Sequence, residues 1–378
     1  MKVLFVQKEG GIFGAENYQL AIIPALIAKG IDIEFLRLYT NHQGGQGGEF
    51  IRRLNQIGVK TYEVNIGKVP TLGILRKIHR VVKSGDYDIV HTHLIHADFY
   101  LSLVKLTFGL IPKFVSTKHG YDNDFTAKHG YDSSKHELKP FYLISRWVEL
   151  WTDASFTVSD GLRNFFEAIK MSKKGKLKRI HLGFDIPDLS REKDNPDYRK
   201  ADKQILIAGR LVAFKGHKFI IEAMQTIATK FDDVKLLIAG SGRLEEELRS
   251  IVKGQGLENV IEFLGYTKEV GHYMANSDVV VVPSVSEGFG VVFLEAFSAM
   301  TPVVAWDVPA SNELIENKKS GYLVPPYQID QFADQVIKVL ENPCEQRQVV
   351  ENAQERLKSY YNLPRMVDET HQFYKQLD

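Results

Sequence analysis

Two carboxylates in this chain sit where a carboxylate is costly. Glu287 and Glu295 form a Glu-x7-Glu pair inside SDVVVVPSVSEGFGVVFLEAFSA, the stretch from Ser277 to Ala299. Val279 to Val282 read as a strand buried on both faces, ended by Pro283. A polar, glycine-bearing turn follows from Ser284 to Gly290, and then a helix, VVFLEAFSAM, with almost no polar face. An unpaired carboxylate inside such a helix costs on the order of several kcal/mol, so Glu295 needs a partner. The glycines let backbone approach a ligand closely, and the helix start offers N–H groups to a polar or anionic one. A ligand carrying both a polyol and phosphates would satisfy all of these groups. The plainer alternative is a helix entrance whose Glu295 pairs with an arginine.

The elements that position these residues follow from the rest of the chain. Its 378 residues suit two domains of roughly 180 each. Apolar residues make up 44% and charged residues 25%, ordinary for a globular enzyme. Cys344 is the single cysteine, which excludes an internal disulfide and a thiolate metal cluster and fits a reducing compartment. Met1 leads directly into the strand pattern KVLFVQ, so no leader is expected, and no apolar run reaches the ~18 residues of a membrane span. Net charge is +1, but residues 1–185 hold 26 Lys+Arg against 18 Asp+Glu (+8), leaving 22 against 29 (−7). Part of the excess is Lys170–Arg179, KMSKKGKLKR, either a solvated loop or a contact for an anionic membrane face.

Strands and helices alternate throughout. Strands are expected at Lys2–Gln7, Ile31–Leu38, Val59–Asn65, Ile89–His91, Lys113–Thr117, Ala154–Val158 and Lys178–His181. The clearest helices between them are Ala15–Lys29 (kinked at Pro24), Glu49–Ile57, Leu72–Ser84, Ala97–Phe108 and Leu138–Trp151. Ile186–Lys203 is charged, carries prolines and lacks periodicity, so it reads as a linker. Strands resume at Gln204–Ala208, Val234–Ala239, Val260–Phe263, Val279–Val282, Val303–Trp306 and Tyr322–Val324. This alternation predicts an α/β chain with two doubly wound parallel sheets, over 1–185 and 204–361. Ligands in such folds bind beyond the carboxyl ends of the strands, and two such domains facing each other make a cleft.

The second half resembles the family 4 retaining glycosyltransferases of the GT-B fold. The resemblance rests on Gly209-Arg210-Leu211 with Lys215-Gly216, on Ala239–Gly242, on Val260–Gly265, and on the Glu287–Glu295 pair after its buried strand. Pro302–Val304 and Gly321–Val324 add to it. The first half matches more loosely, at Gly11, Gly14–Glu16, His91–Asp98, Lys118–Gly120 and Val158-Ser159. Phe13 stands where relatives carry a further glycine. Tyr361–Pro364 resembles the family's tail, implying that a last helix, 362–378, crosses back to the first domain.

The resemblance implies a role for each matched residue. Departure of a nucleoside diphosphate builds charge that fixed cations and N–H groups can stabilise. Arg210 and Lys215 are assigned to that diphosphate, with the Gly14 backbone meeting it from the other domain. Glu295 would accept hydrogen bonds from the ribose diol, and Leu264 and Gly265 would read the base through backbone contacts. Glu287, with the turn Gly288-Phe289-Gly290-Val291, would hold hydroxyls of the donor sugar. His119, after the strand at Lys113–Thr117, would contact that sugar near the reaction centre. The sequence KHGYD occurs at Lys118–Asp122 and again at Lys128–Asp132, so His129 is its rival. This duplicated loop is expected over the acceptor side of the cleft.

Other patterns carry less. Asp122-Asn123-Asp124 spells the metal-binding Asp-x-Asp of transferases of another fold, but Arg210 and Lys215 already supply positive charge, so no metal and no cofactor is expected. His91 and His93 lack a third ligand and read as packing with acceptor contact. The expected activity is retaining transfer of a hexosyl group from a UDP-sugar, with a GDP-sugar second, to a saccharide or lipid-linked acceptor in cell-surface glycan synthesis. The expected place is the cytoplasm, peripheral on an anionic membrane face, with no nucleic-acid partner. The alternatives are another GT-B enzyme such as a sugar-nucleotide epimerase, or a non-catalytic sugar-nucleotide-binding subunit.

Overall fold

The computed structural model describes residues 1–378 apart from 9–11, 13, 41–47, 110–111, 174, 186, 188, 190–194 and 378, and apart from the side chain of Asn123. The readings at Gly11 and Phe13, on most of the loop at 41–48, at Lys174 and on part of the linker 186–203 therefore lie outside the described residues. The chain divides into two units: Met1–Tyr121, Asp132–Asp185 and Asn362–Asp378 form one, and Asp122–Tyr131 with Ile186–Tyr361 form the other.

The first unit is built on seven parallel strands: β1 (Lys2–Lys8), β2 (Asp32–Tyr39), β3 (Lys60–Asn65), β4 (Ile89–His93), β5 (Lys113–Lys118), β6 (Ala154–Thr157) and β7 (Leu177–Arg179). Their spatial order is β3-β2-β1-β4-β5-β6-β7. Central β1 is apolar from Val3 to Val6 because both faces are covered there, and these four residues are fully buried. Each such side chain contributes roughly 1.5–3 kcal/mol of gross burial energy. Helices α1 (Gly14–Ala28), α2 (Glu49–Gln56), α3 (Leu72–Ser84) and α4 (Leu94–Phe108) connect the first strands. Helix α1 continues through Pro24 to Ala28. After β5 come α5 (Asn123–His129), α6 (Pro140–Trp151) and α7 (Asp160–Ala168).

The second unit holds β8 (Lys203–Ala208), β9 (Val234–Ala239), β10 (Ile261–Gly265), β11 (Val279–Val282), β12 (Val303–Trp306) and β13 (Tyr322–Val324), in the parallel order β10-β9-β8-β11-β12-β13. Its helices are α8 (His217–Ile227), α9 (Glu245–Gly254), α10 (Val270–Ala275), α11 (Val291–Ser298), α12 (Ser311–Leu314), α13 (Ile329–Glu341) and α14 (Gln346–Tyr360). Both sheets run outward from a first strand and then resume on its other side. The direction therefore reverses between β1 and β4 in one unit and between β8 and β11 in the other, the places where such sheets bind ligands.

Two segments leave the run of the sequence. The last helix, α15 (Leu363–Lys375), packs on α1 in the first unit, with Tyr374 fully buried. The segment Asp122–Tyr131, read above as part of the first half, belongs instead to the second unit, where α5 packs on the 3-10 turn Ala213–Lys215. Phe125 and Thr126 supply its buried face. This corrects the domain assignment of residues 122–131; their short apolar face is too small a pattern to show which unit it serves.

Candidate active site

In the second unit the reversal point between β8 and β11 carries the residues singled out above. The loop leaving β8 bends at Gly216, which takes φ +74°, and a Cβ there would stand 1.8 Å from the Pro283 carbonyl oxygen at the end of β11. Only glycine allows this approach of the two loops. A backbone hydrogen bond from Val285 N–H to the Phe214 carbonyl (2.8 Å) closes it. The result places Lys215 against Glu287: Nζ donates to Oε1 at 2.7 Å and to Oε2 at 2.9 Å. The pair is largely withdrawn from solvent, with side chains 18% and 6% exposed. Both Arg210 (5.7 Å) and Lys215 (5.8 Å) lie over the ring of Phe214, so the two cations share one wall. Arg210 itself is exposed.

Glu295 is on the first turns of α11. Burial pushes its carboxyl above the ordinary range, and the positive charge of Lys215 offsets part of that. The partner anticipated for Glu295 is thus electrostatic and belongs to a lysine. Helix α11 begins at Gly290 with no side chain capping it, which leaves its first N–H groups to another acceptor. Phe289 is buried against Tyr361, ring centroids 5.9 Å apart, while Gly288 and Val291 are partly exposed. Leu264 and Gly265 end β10, where the Gly265 carbonyl accepts from Gly240 N–H at 2.8 Å.

Two residues of this wall were not singled out from the sequence. His217 opens α8 beside Lys215, 2% exposed, and neither ring nitrogen has a hydrogen-bond partner among the described residues. Burial, helped by the Lys215 charge, holds its pKa down at about 3. It is the last letter of GRLVAFKGH, and nothing in the string separates it from a surface histidine. Tyr131, in the second KHGYD, hydrogen-bonds Ser286 next to Glu287, and burial pushes its hydroxyl pKa up. Its neighbour His129 is exposed and lies against Phe125 at 5.2 Å. Asp122 caps α5, accepting from Phe125 N–H at 2.8 Å, so it has a structural job apart from any metal.

In the first unit the corresponding reversal point carries Gly14, the exposed first residue of α1, and a histidine cluster in β4 and just after β5. His119 Nε2 and His93 Nδ1 are 3.0 Å apart. His91 bonds through Nδ1 to the Tyr374 hydroxyl (2.5 Å) and through Nε2 to Thr117 Oγ1 (2.7 Å). Burial lowers the pKa of His91 and of His119 to about 3, and drives His93 well below its ordinary value. All three are therefore neutral at pH 7. His93 Nε2 is buried without a partner among the described residues.

Beneath the cluster is a buried charge network. Lys118 Nζ is 2.8 Å from Asp98 Oδ2 and 3.5 Å from Glu149 Oε2, all three side chains under 9% exposed. Burial works to discharge Lys118, but Asp98 and Glu149 outweigh it and raise its pKa. Asp98 also accepts from Ser116 Oγ at 2.7 Å and from Thr92 Oγ1, which ties the ends of β4 and β5 together below His93 and His119.

Comparison with known proteins bears on this arrangement. Residues 12–187 match the family model Glycosyltransferase Family 4, and residues 190–356 match Glycosyl transferases group 1. A phosphatidyl-myo-inositol mannosyltransferase of Mycobacterium leprae is 30% identical over 291 residues, 75% of this chain and 72% of that one. The chain belongs to the family 4 glycosyltransferases. A UDP-Gal:alpha-D-GlcNAc-diphosphoundecaprenol alpha-1,3-galactosyltransferase of Escherichia coli is 25% identical over 329 residues, 82% of this chain and 81% of the relative. Among solved structures, Anabaena Alr3699/HepE in complex with UDP-glucose superposes with a TM-score of 0.79 at 19% identity, covering the whole of both chains. The fold of this family 4 glycosyltransferase is GT-B, with two Rossmann-like units.

Proposed function

We propose that the chain is a retaining, metal-independent transferase moving a hexosyl group from a UDP-sugar to a lipid-linked or saccharide acceptor in glycan synthesis. The observation that carries this reading is the Lys215–Glu287 pair at the β8/β11 reversal, with Arg210 and Glu295 beside it. The UDP preference is supported by the names of relatives that bind or use uridine donors.

Breaking the anomeric bond leaves negative charge on the diphosphate. Arg210 grips phosphate oxygens with its planar fork, and Lys215 acts as a point charge. Glu287 balances that charge in the structure. An incoming diphosphate draws Nζ toward itself and frees Glu287 oxygens for the sugar hydroxyls. With the uncapped start of α11, these groups do the work that a divalent cation does elsewhere. Glu295 takes the ribose hydroxyls, and the Leu264–Gly265 backbone reads the base.

His119 holds the donor sugar as a neutral imidazole. Bare N–H groups are rarer in protein interiors than bare acceptors, so His93 is assigned its proton on Nδ1, donated to His119 Nε2. His119 then carries its own proton on Nδ1, available to a sugar oxygen. Glu287 and Glu295 are both occupied with hydroxyls, so neither attacks the anomeric carbon. The acceptor oxygen enters on the face the diphosphate leaves, and a diphosphate oxygen takes its proton.

A thermal-shift panel of UDP-, GDP- and ADP-sugars tests the donor, followed by transfer of labelled sugar to lipid and saccharide acceptors. UDP-sugars should raise the melting point and Lys215→Ala should abolish the rise. A response to GDP-sugars alone sinks the donor assignment, and nucleotide release that needs no acceptor points to the epimerase alternative.

A further inference from the structure

Glu287 stands in a turn, 284–290, that is neither helix nor strand. Without a hydrogen-bond ladder of its own, such a turn keeps a side chain in place through contacts made from outside it. Val285 N–H donates to the Phe214 carbonyl at 2.8 Å, which ties one edge. The segment 122–131 holds the other edge. Gly130, which ends α5, takes φ +57° and ψ −132°, a conformation that glycine enters and other residues resist. A Cβ there would stand 2.8 Å from the Val285 carbonyl oxygen. The next residue, Tyr131, shares a hydrogen bond with Ser286, and its hydroxyl is close enough to Glu287 to sense that charge. Val285 and Ser286 are both buried.

The segment that makes these contacts is itself braced. Asp122 accepts from Phe125 N–H at 2.8 Å, Thr126 Oγ1 donates to the Asp122 carbonyl at 2.9 Å, and Gly130 N–H donates to the Thr126 carbonyl at 3.0 Å. Phe125 and Thr126 are buried, and α5 packs on the 3-10 turn Ala213–Lys215. One short segment therefore touches both the turn that carries Lys215 and the turn that carries Glu287.

We infer that residues 122–131 clasp these two turns together, with Tyr131 as a positioning residue that acts on Glu287 through Ser286. The need arises when donor binds. The diphosphate draws Lys215 Nζ toward itself, and Glu287 loses the partner that fixes it. Ser286, held by Tyr131, then keeps the carboxylate against the sugar hydroxyls, where a small misplacement is costly. The inference deepens the reading of Glu287 as the acid that holds the donor sugar, and rests on it. A segment that served packing alone would need the Tyr131 ring and not its hydroxyl.

Tyr131→Phe keeps the ring and removes the hydroxyl, and Ser286→Ala removes the hydroxyl's partner. Both variants and their double are compared with wild type in transfer from UDP-glucose and UDP-galactose, in UDP binding by calorimetry, and in urea unfolding. In each single variant kcat should fall roughly five- to tenfold, as for the loss of one hydrogen bond. The double variant should fall no further than either single one, because both remove the same contact. UDP, which lacks the sugar, should bind within about twofold of wild type. Wild-type kcat in the folded variants, losses that multiply in the double variant, or a loss that falls on UDP affinity alone would each overturn the inference. If Tyr131→Phe does not fold, Ser286→Ala decides. Glu287→Gln separates the clasp from the reading beneath it. Wild-type turnover in Glu287→Gln removes the donor-sugar role of Glu287, whereas a loss there with none in Tyr131→Phe removes the clasp alone. If no UDP-sugar is transferred, amide hydrogen exchange decides. Faster exchange across 285–290 in Tyr131→Phe, at an unchanged unfolding midpoint, upholds the clasp, and unchanged exchange refutes it.

Discussion

Lys215 and Glu287 are each other's partner before they are anyone else's, and this sets what substitutions there should do. Lys215→Ala strands a carboxylate that is 6% exposed, which costs up to about 3–5 kcal/mol of stability for a buried pair and less to the extent that water reaches it. It also removes a cation from the diphosphate, so kcat should fall on the order of 10²–10³-fold. Glu287→Gln keeps the shape and leaves Lys215 charged, so it should act on turnover more than on folding. Steady-state kinetics and urea unfolding of the two single variants and the double variant check both statements. Additive effects would show that the pair does not act as a unit. The histidine cluster gives a pH dependence. The unfolded chain takes up protons near pH 6.5, whereas folded His91 does so only near 3. Between those values the unfolded state binds more protons, so stability is fully present above about pH 6.5 and is lost as pH falls. Each fully buried histidine adds a slope of about 1.4 kcal/mol per pH unit in that window. Urea unfolding at pH 7 and pH 5.5 measures it, and a flat profile would refute it.

Elements meet in this chain at places where a side chain would not fit. Gly183, before the boundary, lies against the start of α15: a Cβ there would stand 2.0 Å from the Asn362 carbonyl oxygen. Backbone on both sides gives little room, so Gly183→Ala should displace α15 and withdraw Tyr374 from His91, lowering thermal stability by about 2 kcal/mol or more. A melting curve that matches wild type would show that α15 accommodates the methyl group. Helix α5 reads as part of a loop in the sequence because, among its described side chains, Phe125 and Thr126 are the buried ones. That is too few for a helical period to be seen. Strand positions, by contrast, agree with the sequence reading to within a residue or two, because strands buried on both faces are apolar throughout.

At the scale of the whole molecule, binding of donor is a stability measurement. A ligand at about 100 times its dissociation constant adds about 2.7 kcal/mol to the bound protein, so UDP-glucose or UDP-galactose should raise the unfolding midpoint by several degrees. Arg210→Ala should reduce that rise and move the midpoint of the free protein by less than Lys215→Ala does, since Arg210 is exposed. An unchanged ligand response would remove Arg210 from the phosphate site. Among the described residues no helix is long and apolar enough to cross a membrane. Alternating buried strands and glycine-marked turns determined the two parallel sheets and, through the strand ends, the stretch on which Arg210, Lys215, Glu287 and Glu295 sit. Those features are local, and a sequence displays local periodicity directly. Only the tertiary structure decided that Glu287 is bound by Lys215, that His93 and Tyr374 tie His119 and His91 into one cluster, and that the second KHGYD stands beside Ser286. These are pairings between residues far apart in the chain, made by whichever surfaces pack together, and no spacing in the sequence encodes them.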